Sequence, residues 1–152
     1  MRRFDLHSLR FGESSEVRRV VPAEIVPFSL GGLEYGVAGG VVEIELTASR
    51  VGARVSVTGL GEATLTGVCQ RCLADAFVAV TVACEEYVKG GESEGDDGYT
   101  SGWFLDLQSW VRDAIADALP EQILCRDDCL GLCQECGADL NLVGADHAHR
   151  SR

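Results

Sequence analysis

Seven cysteines are the residues best suited to chemistry here, and six of them fall in pairs. The pairs are Cys69-x2-Cys72, Cys125-x3-Cys129 and Cys133-x2-Cys136. Thiols at such spacing can form disulfides, run thiol–disulfide exchange or ligate a metal. An odd number of cysteines fits a disulfide framework poorly. The start, "MRRFDLHSLRF", has no apolar stretch behind its arginines, so export is not expected and a reducing cytoplasm is. Redox C-x-x-C motifs open a helix in a βαβ setting, whereas "CQRC" lies between two strand-like runs. A thiol oxidoreductase or sensor using Cys69 and Cys72 is therefore the alternative reading.

Zinc is the favoured guest, because it takes Cys and His ligands tetrahedrally from short C-x2-4-C turns. Gly137 follows Cys136 and suits a tight turn. Arg71 and Arg126 each neighbour a ligand cysteine and are candidates to offset thiolate charge from just outside the ligands. In the tail, His147 and His149 form a second half-site candidate for Cys133 and Cys136. Cys84 stands alone on an apolar face and reads as a small buried hydrophobe. Spacing alone leaves open which pair meets which.

These residues need elements to hold them. "VVEIELTA" alternates, with Val42, Ile44, Leu46 and Ala48 on one face. "RVGARVSVTG" is read as one strand, with Arg50 and Arg54 sharing its outward face. "EATLTGV" is read as a shorter strand running into Cys69, and "ADAFVAVTVACEEYV" as a long strand after Cys72. Short links favour antiparallel neighbours. One helix follows, with Leu107, Trp110, Val111, Ala114, Ile115, Ala118 and Leu119 in its stripe, Asp106 as N-cap and Pro120 as stop. Before these, "FDLHSLRF" reads as a short strand and "RRVVPAEIVPF" as an extended piece broken by Pro22 and Pro27. "SLGGLEYGVAGG" reads as a loop. A mobile acidic loop is expected over 89–102, and a flexible tail from about 142. The fold class expected is α+β: a single domain over 1–152, with an antiparallel, curled β-meander covered by one amphipathic helix and a C-terminal zinc-knuckle segment.

Charge narrows the partners. With 24 acidic and 13 basic residues the net charge is −11, which opposes a nucleic-acid grip through the mean field. A zinc-ribbon transcription module, which needs a basic face, is disfavoured. Basic partners are drawn in instead, and ribosomal proteins are abundant basic proteins. Direct rRNA contact has only Arg50 and Arg54 as candidates. No run approaches the roughly 20 apolar residues of a membrane span.

"CQRCL", then "LDLQSWVRDAIADALPEQILC", then "CLGLCQECGADLN" together resemble the YceD family, named for large ribosomal RNA subunit accumulation. The resemblance covers about Gly59 to Asn141. It implies a ribosome biogenesis factor supporting accumulation of large-subunit (23S) rRNA, with no catalytic residues to carry over and hence no enzyme. Some members carry His at the positions of Cys125 and Cys129 and lack the later C-x-x-C while keeping the first pair. This implies that Cys69, Cys72, Cys125 and Cys129 form one site, leaving Cys133 and Cys136 for His147 and His149. Many members have C-x-C where this chain has His147-x-His149. The expected partner is a large-subunit ribosomal protein or pre-ribosomal particle, the expected cofactor structural zinc, and the expected location the cytoplasm.

Overall fold

A computed structural model describes residues 3–11, 15–89 and 98–149. Along the described chain run β1 (Arg3–Asp5), β2 (Glu16–Glu24), β3 (Phe28–Leu30), β4 (Leu33–Val37), β5 (Val41–Val51), β6 (Arg54–Val68) and β7 (Asp75–Lys89). After these come β8 (Thr100–Ser101), β9 (Phe104–Asp106), helix α1 (Leu107–Asp117) and the single turn α2 (Leu140–Val143). The architecture is α+β, mostly antiparallel sheet with one main helix, and the sheet does not close.

β6 is the axis of the main sheet. It pairs along its whole length with β7, from Arg54↔Lys89 to Val68↔Asp75. Its other edge is shared. β5 covers the first half of β6, and β4 pairs with Thr66 and Leu65 further on. β2 pairs outside β5, β3 outside β4, and β1, β9 and β8 make a separate small sheet. The alternation of β5 is realised fully: Val42, Ile44, Leu46 and Ala48 are all buried. β7 buries Ala76, Val80, Val82 and Val88 on the same side.

Several expectations about boundaries are corrected. "RVGARVSVTG" is not one strand: Gly52 and Ala53 form a two-residue turn, and Val51 pairs with Arg54. Arg50 and Arg54 therefore lie on neighbouring strands, and the register puts them on opposite faces. Arg50 rests over the Phe11 ring, 5.1 Å from its centroid. "EATLTGV" is no separate strand but the second half of β6. "SLGGLEYGVAGG" is a hairpin, β3 to β4, and not a loop. Pro22 does not break β2, because an edge strand needs only alternate N–H groups for its ladder. Of the expected loop over 89–102, residues 90–97 lie outside the described residues, Lys89 closes β7 and Thr100–Ser101 form β8.

Helix α1 is capped as its sequence demands. The Asp106 carboxylate accepts from the Ser109 backbone N–H at 3.2 Å and from its hydroxyl at 2.8 Å. Leu107, Trp110, Val111, Ala114 and Ile115 face the core. Ala118 and Leu119 lie past the last helical residue, and Ala118 is exposed, so the stripe is shorter than its periodicity suggests. The Trp110 ring reaches the sheet at Gly59, where a Cβ would meet the ring at 3.1 Å and Cys84 Sγ at 2.9 Å. Glycine at this place is what lets helix and sheet approach. Beyond α1 the chain turns at Pro120 and buries Ile123, whose carbonyl accepts from Gln70 N at 2.9 Å. That bond brings the segment after the helix to the turn between β6 and β7.

Candidate metal centre

The β6–β7 turn carries Cys69 and Cys72, and the segment after α1 carries Cys125 and Cys129. Their four sulfurs lie within 4.8 Å of one another. Cys69 Sγ is 3.7 Å from Cys129 Sγ, and Cys72 Sγ is 3.6 Å from Cys125 Sγ. All seven cysteines are free. A disulfide requires about 2.0 Å. Four sulfurs about 2.3 Å from a tetrahedral centre are separated by about 3.8 Å, close to what is seen. The cluster could hold a metal ion.

The electrostatics point the same way. Burial raises the Cys69 thiol, but backbone N–H groups of Cys72, Cys125 and Arg71 outweigh it, bringing the pKa to about 6. Cys125 is pushed up to about 12, first by burial and then by Cys72, Cys129 and Cys69 beside it. Cys72 also lies above the ordinary thiol value: the Ala74 backbone bond lowers it, yet burial and the sulfurs of Cys69 and Cys129 prevail. One thiolate thus inhibits the next, and a cation among them is what relieves the repulsion.

Cys133, Cys136, His147 and His149 form a second group, again with ligand atoms within 4.8 Å. Cys133 Sγ is 2.9 Å from His149 Nε2, and Cys136 Sγ 3.3 Å from His147 Nε2. A zinc ion would hold such S and N ligands about 3.6 Å apart, so this group is drawn in more tightly than a metal would leave it. It is also more exposed, with Glu135 3.5 Å from His149. Backbone donors of Cys136 and Glu135, with His149, bring Cys133 down to about 7, and His149 is raised by Cys133.

Both C-x-x-C turns share one backbone design. Leu73 N donates to Cys69 O and Gly137 N to Cys133 O, each at 2.9 Å. Cys69 N donates to Ala74 O at 2.7 Å, and Cys133 N to Ala138 O at 2.8 Å. The residue after the second cysteine has positive φ in both, 61° at Leu73 and 74° at Gly137.

Arg71 meets the first cluster through its backbone, whose N–H donates to Cys69 Sγ at 3.4 Å. Its guanidinium ties Cys129 O to the Gln122 side chain. Arg126 reaches Asn141 Oδ1 at 2.9 Å and Asp128 at 3.2 Å. Asn141 was not singled out by spacing. Its Nδ2 donates to Cys129 Sγ at 3.4 Å, and its Oδ1 accepts from Arg126 and Leu130 N. Its sequence signals are its place at the end of "CLGLCQECGADLN" and beside Asp139, whose carboxylate caps α2 and holds the Asn141 amide at 2.8 Å. Cys84 is half-buried, bonded to Gly59 O at 3.7 Å and pushed up to about 11 by burial. It stands apart from both clusters.

An uncharacterised protein of Mycobacterium tuberculosis is 33% identical over 109 residues, covering 67% of this chain and 53% of its own length. An uncharacterised protein of Mycobacterium bovis matches to the same extent. One of Mycobacterium leprae is 32% identical over 118 residues, 73% of this chain and 54% of its own. The chain thus spans about half the length of the curated relatives it matches. No solved structure matches. The family model for large ribosomal RNA subunit accumulation protein YceD matches residues 57–151, a span that includes all eight residues of the two clusters. The chain belongs to the YceD family.

Proposed function

We propose that this protein is a zinc-stabilised, non-enzymatic assembly factor that supports accumulation of large-subunit ribosomal RNA. One observation carries the metal reading: thiols 60 and 53 residues apart in sequence converge at tetrahedral-edge spacing. Cys69, Cys72, Cys125 and Cys129 hold a structural zinc, since four protein ligands leave no open position for catalysis. Cys133, Cys136, His147 and His149 take a second zinc, nearer to solvent. The family description supports the ribosomal role. Acting in the cytoplasm, the protein binds a basic large-subunit ribosomal protein or a pre-ribosomal particle, which suits a net charge of −11. A direct rRNA grip is not included, because Arg50 and Arg54 point to opposite faces.

The thiol-redox alternative is disfavoured by access. The Cys69 thiol, brought down to about 6, is 0% exposed, and exchange requires an accessible thiolate. The test is genetic. Cells lacking the gene should show a lowered ratio of large- to small-subunit rRNA, restored by the wild-type protein and not by Cys72→Ser. An unchanged ratio in the deletion would contradict the role.

A further inference from the structure

The paired turns supply their own comparison. At matched places after C-x-x-C, one turn uses glycine at φ 74° and the other uses Leu73 at φ 61°. Glycine adopts that conformation freely, whereas a leucine there is strained by its Cβ. The strain gains Leu73 little inside the fold, since its side chain is 58% exposed. A strained residue presenting a large apolar side chain to water is placed for something outside the chain.

Its surroundings indicate what. β7 begins two residues later, and Asp75 and Phe77 line a shallow groove of about 500 Å³ with Pro27, Glu34, Tyr35 and Thr66. Phe77 is 68% exposed. Among the described residues no hydrogen bond or ion pair from another side chain engages the carboxylates of Glu34 or Asp75. Two unpaired carboxylates beside an exposed aromatic ring complement a cationic segment that also carries apolar side chains.

The geometry points to Leu73 and the Phe77 groove as one docking surface for a Lys/Arg-rich, apolar-bearing segment of a large-subunit ribosomal protein. This rests on the partner reading above and adds where the contact is made. The zinc turn would then have two uses, tying the chain together and presenting Leu73 at a fixed angle.

The experiment uses full-length, metal-loaded protein immobilised as wild type, Leu73→Gly, Phe77→Ser and Asp75→Asn. The probe is the protein extract of purified large ribosomal subunits, with retained proteins identified and quantified. Leu73→Gly should keep its metal content and an unchanged or raised melting temperature, yet retain at least ten-fold less of the ribosomal protein that the wild type retains. Phe77→Ser should do the same, and Asp75→Asn should lose less and flatten the salt dependence. Wild-type retention with undiminished binding by both Leu73→Gly and Phe77→Ser would overturn the surface while sparing the partner reading. No retention by the wild type itself would overturn both. A fall in metal content or melting temperature for Leu73→Gly would show that Leu73 serves the fold, and would also overturn the proposal.

Discussion

At the scale of single residues, the sulfurs and their donors decide the chemistry. Cys72→Ser and Cys129→Ser should each remove one metal equivalent and leave the other, whereas Cys84→Ser should keep both, measured as metal per chain. Asn141 is the less obvious participant, because it donates to Cys129 Sγ while holding Arg126 and Leu130 N. Asn141→Ala should lower metal affinity at the first cluster by roughly 10–100-fold, the usual range for a residue that orients a ligand. Competition against a chromophoric chelator reads this directly, and wild-type affinity in the variant would remove Asn141 from the site. The cysteines were legible in sequence because a metal turn is a local object with fixed spacing. Asn141 was not, because its partners lie up to 15 residues away and meet it only in three dimensions.

Among the elements, legibility followed periodicity. β5 and α1 repeat cleanly at two and at three to four residues, and both are legible in the sequence. β3, β4 and β6 are hidden from periodicity because glycine carries no hydropathy signal: Gly31, Gly32 and Gly36 mask a hairpin, while Gly59 and Gly61 make one long strand look like two. Gly59 and Gly61 have packing reasons, whereas Gly31 and Gly32 turn the hairpin at positive φ. Gly59→Ala should destabilise the fold by about 1–3 kcal/mol, as overfilling a packed core does. A lowered thermal midpoint with unchanged metal content is the expected result, and an unchanged midpoint would deny the close approach of Trp110. Chelation should act on a different part of the fold. The sheet has its own buried alternation, so hydrogen exchange after metal removal should rise beyond Pro120 and in the 69–74 turn while the middle of β6 stays protected. Uniform loss of protection would mean that the metal holds the whole domain.

For the whole molecule, the acidic balance and the two Cys/His clusters bear on the proposed role. A chain of net charge −11 should retain basic large-subunit ribosomal proteins at low salt and release them as screening rises. Equal retention of unrelated basic proteins would reduce this to non-specific attraction. No helix among the described residues is long and apolar enough to cross a membrane. Structural zinc in small domains is worth on the order of 10–16 kcal/mol, comparable to the stability of an entire domain, so zinc bound at the first cluster would fix the 69–74 turn and the segment beyond Pro120. The most direct measurement is X-ray absorption at the zinc edge on protein purified without added metal, together with zinc per chain for wild type and for the variant lacking His147 and His149. Two zinc ions per chain are expected in the wild type. In the variant a single zinc with four sulfur ligands at about 2.3 Å is expected. A variant free of zinc, or one whose zinc carries nitrogen or oxygen in place of those sulfurs, would contradict the shared site of Cys69, Cys72, Cys125 and Cys129.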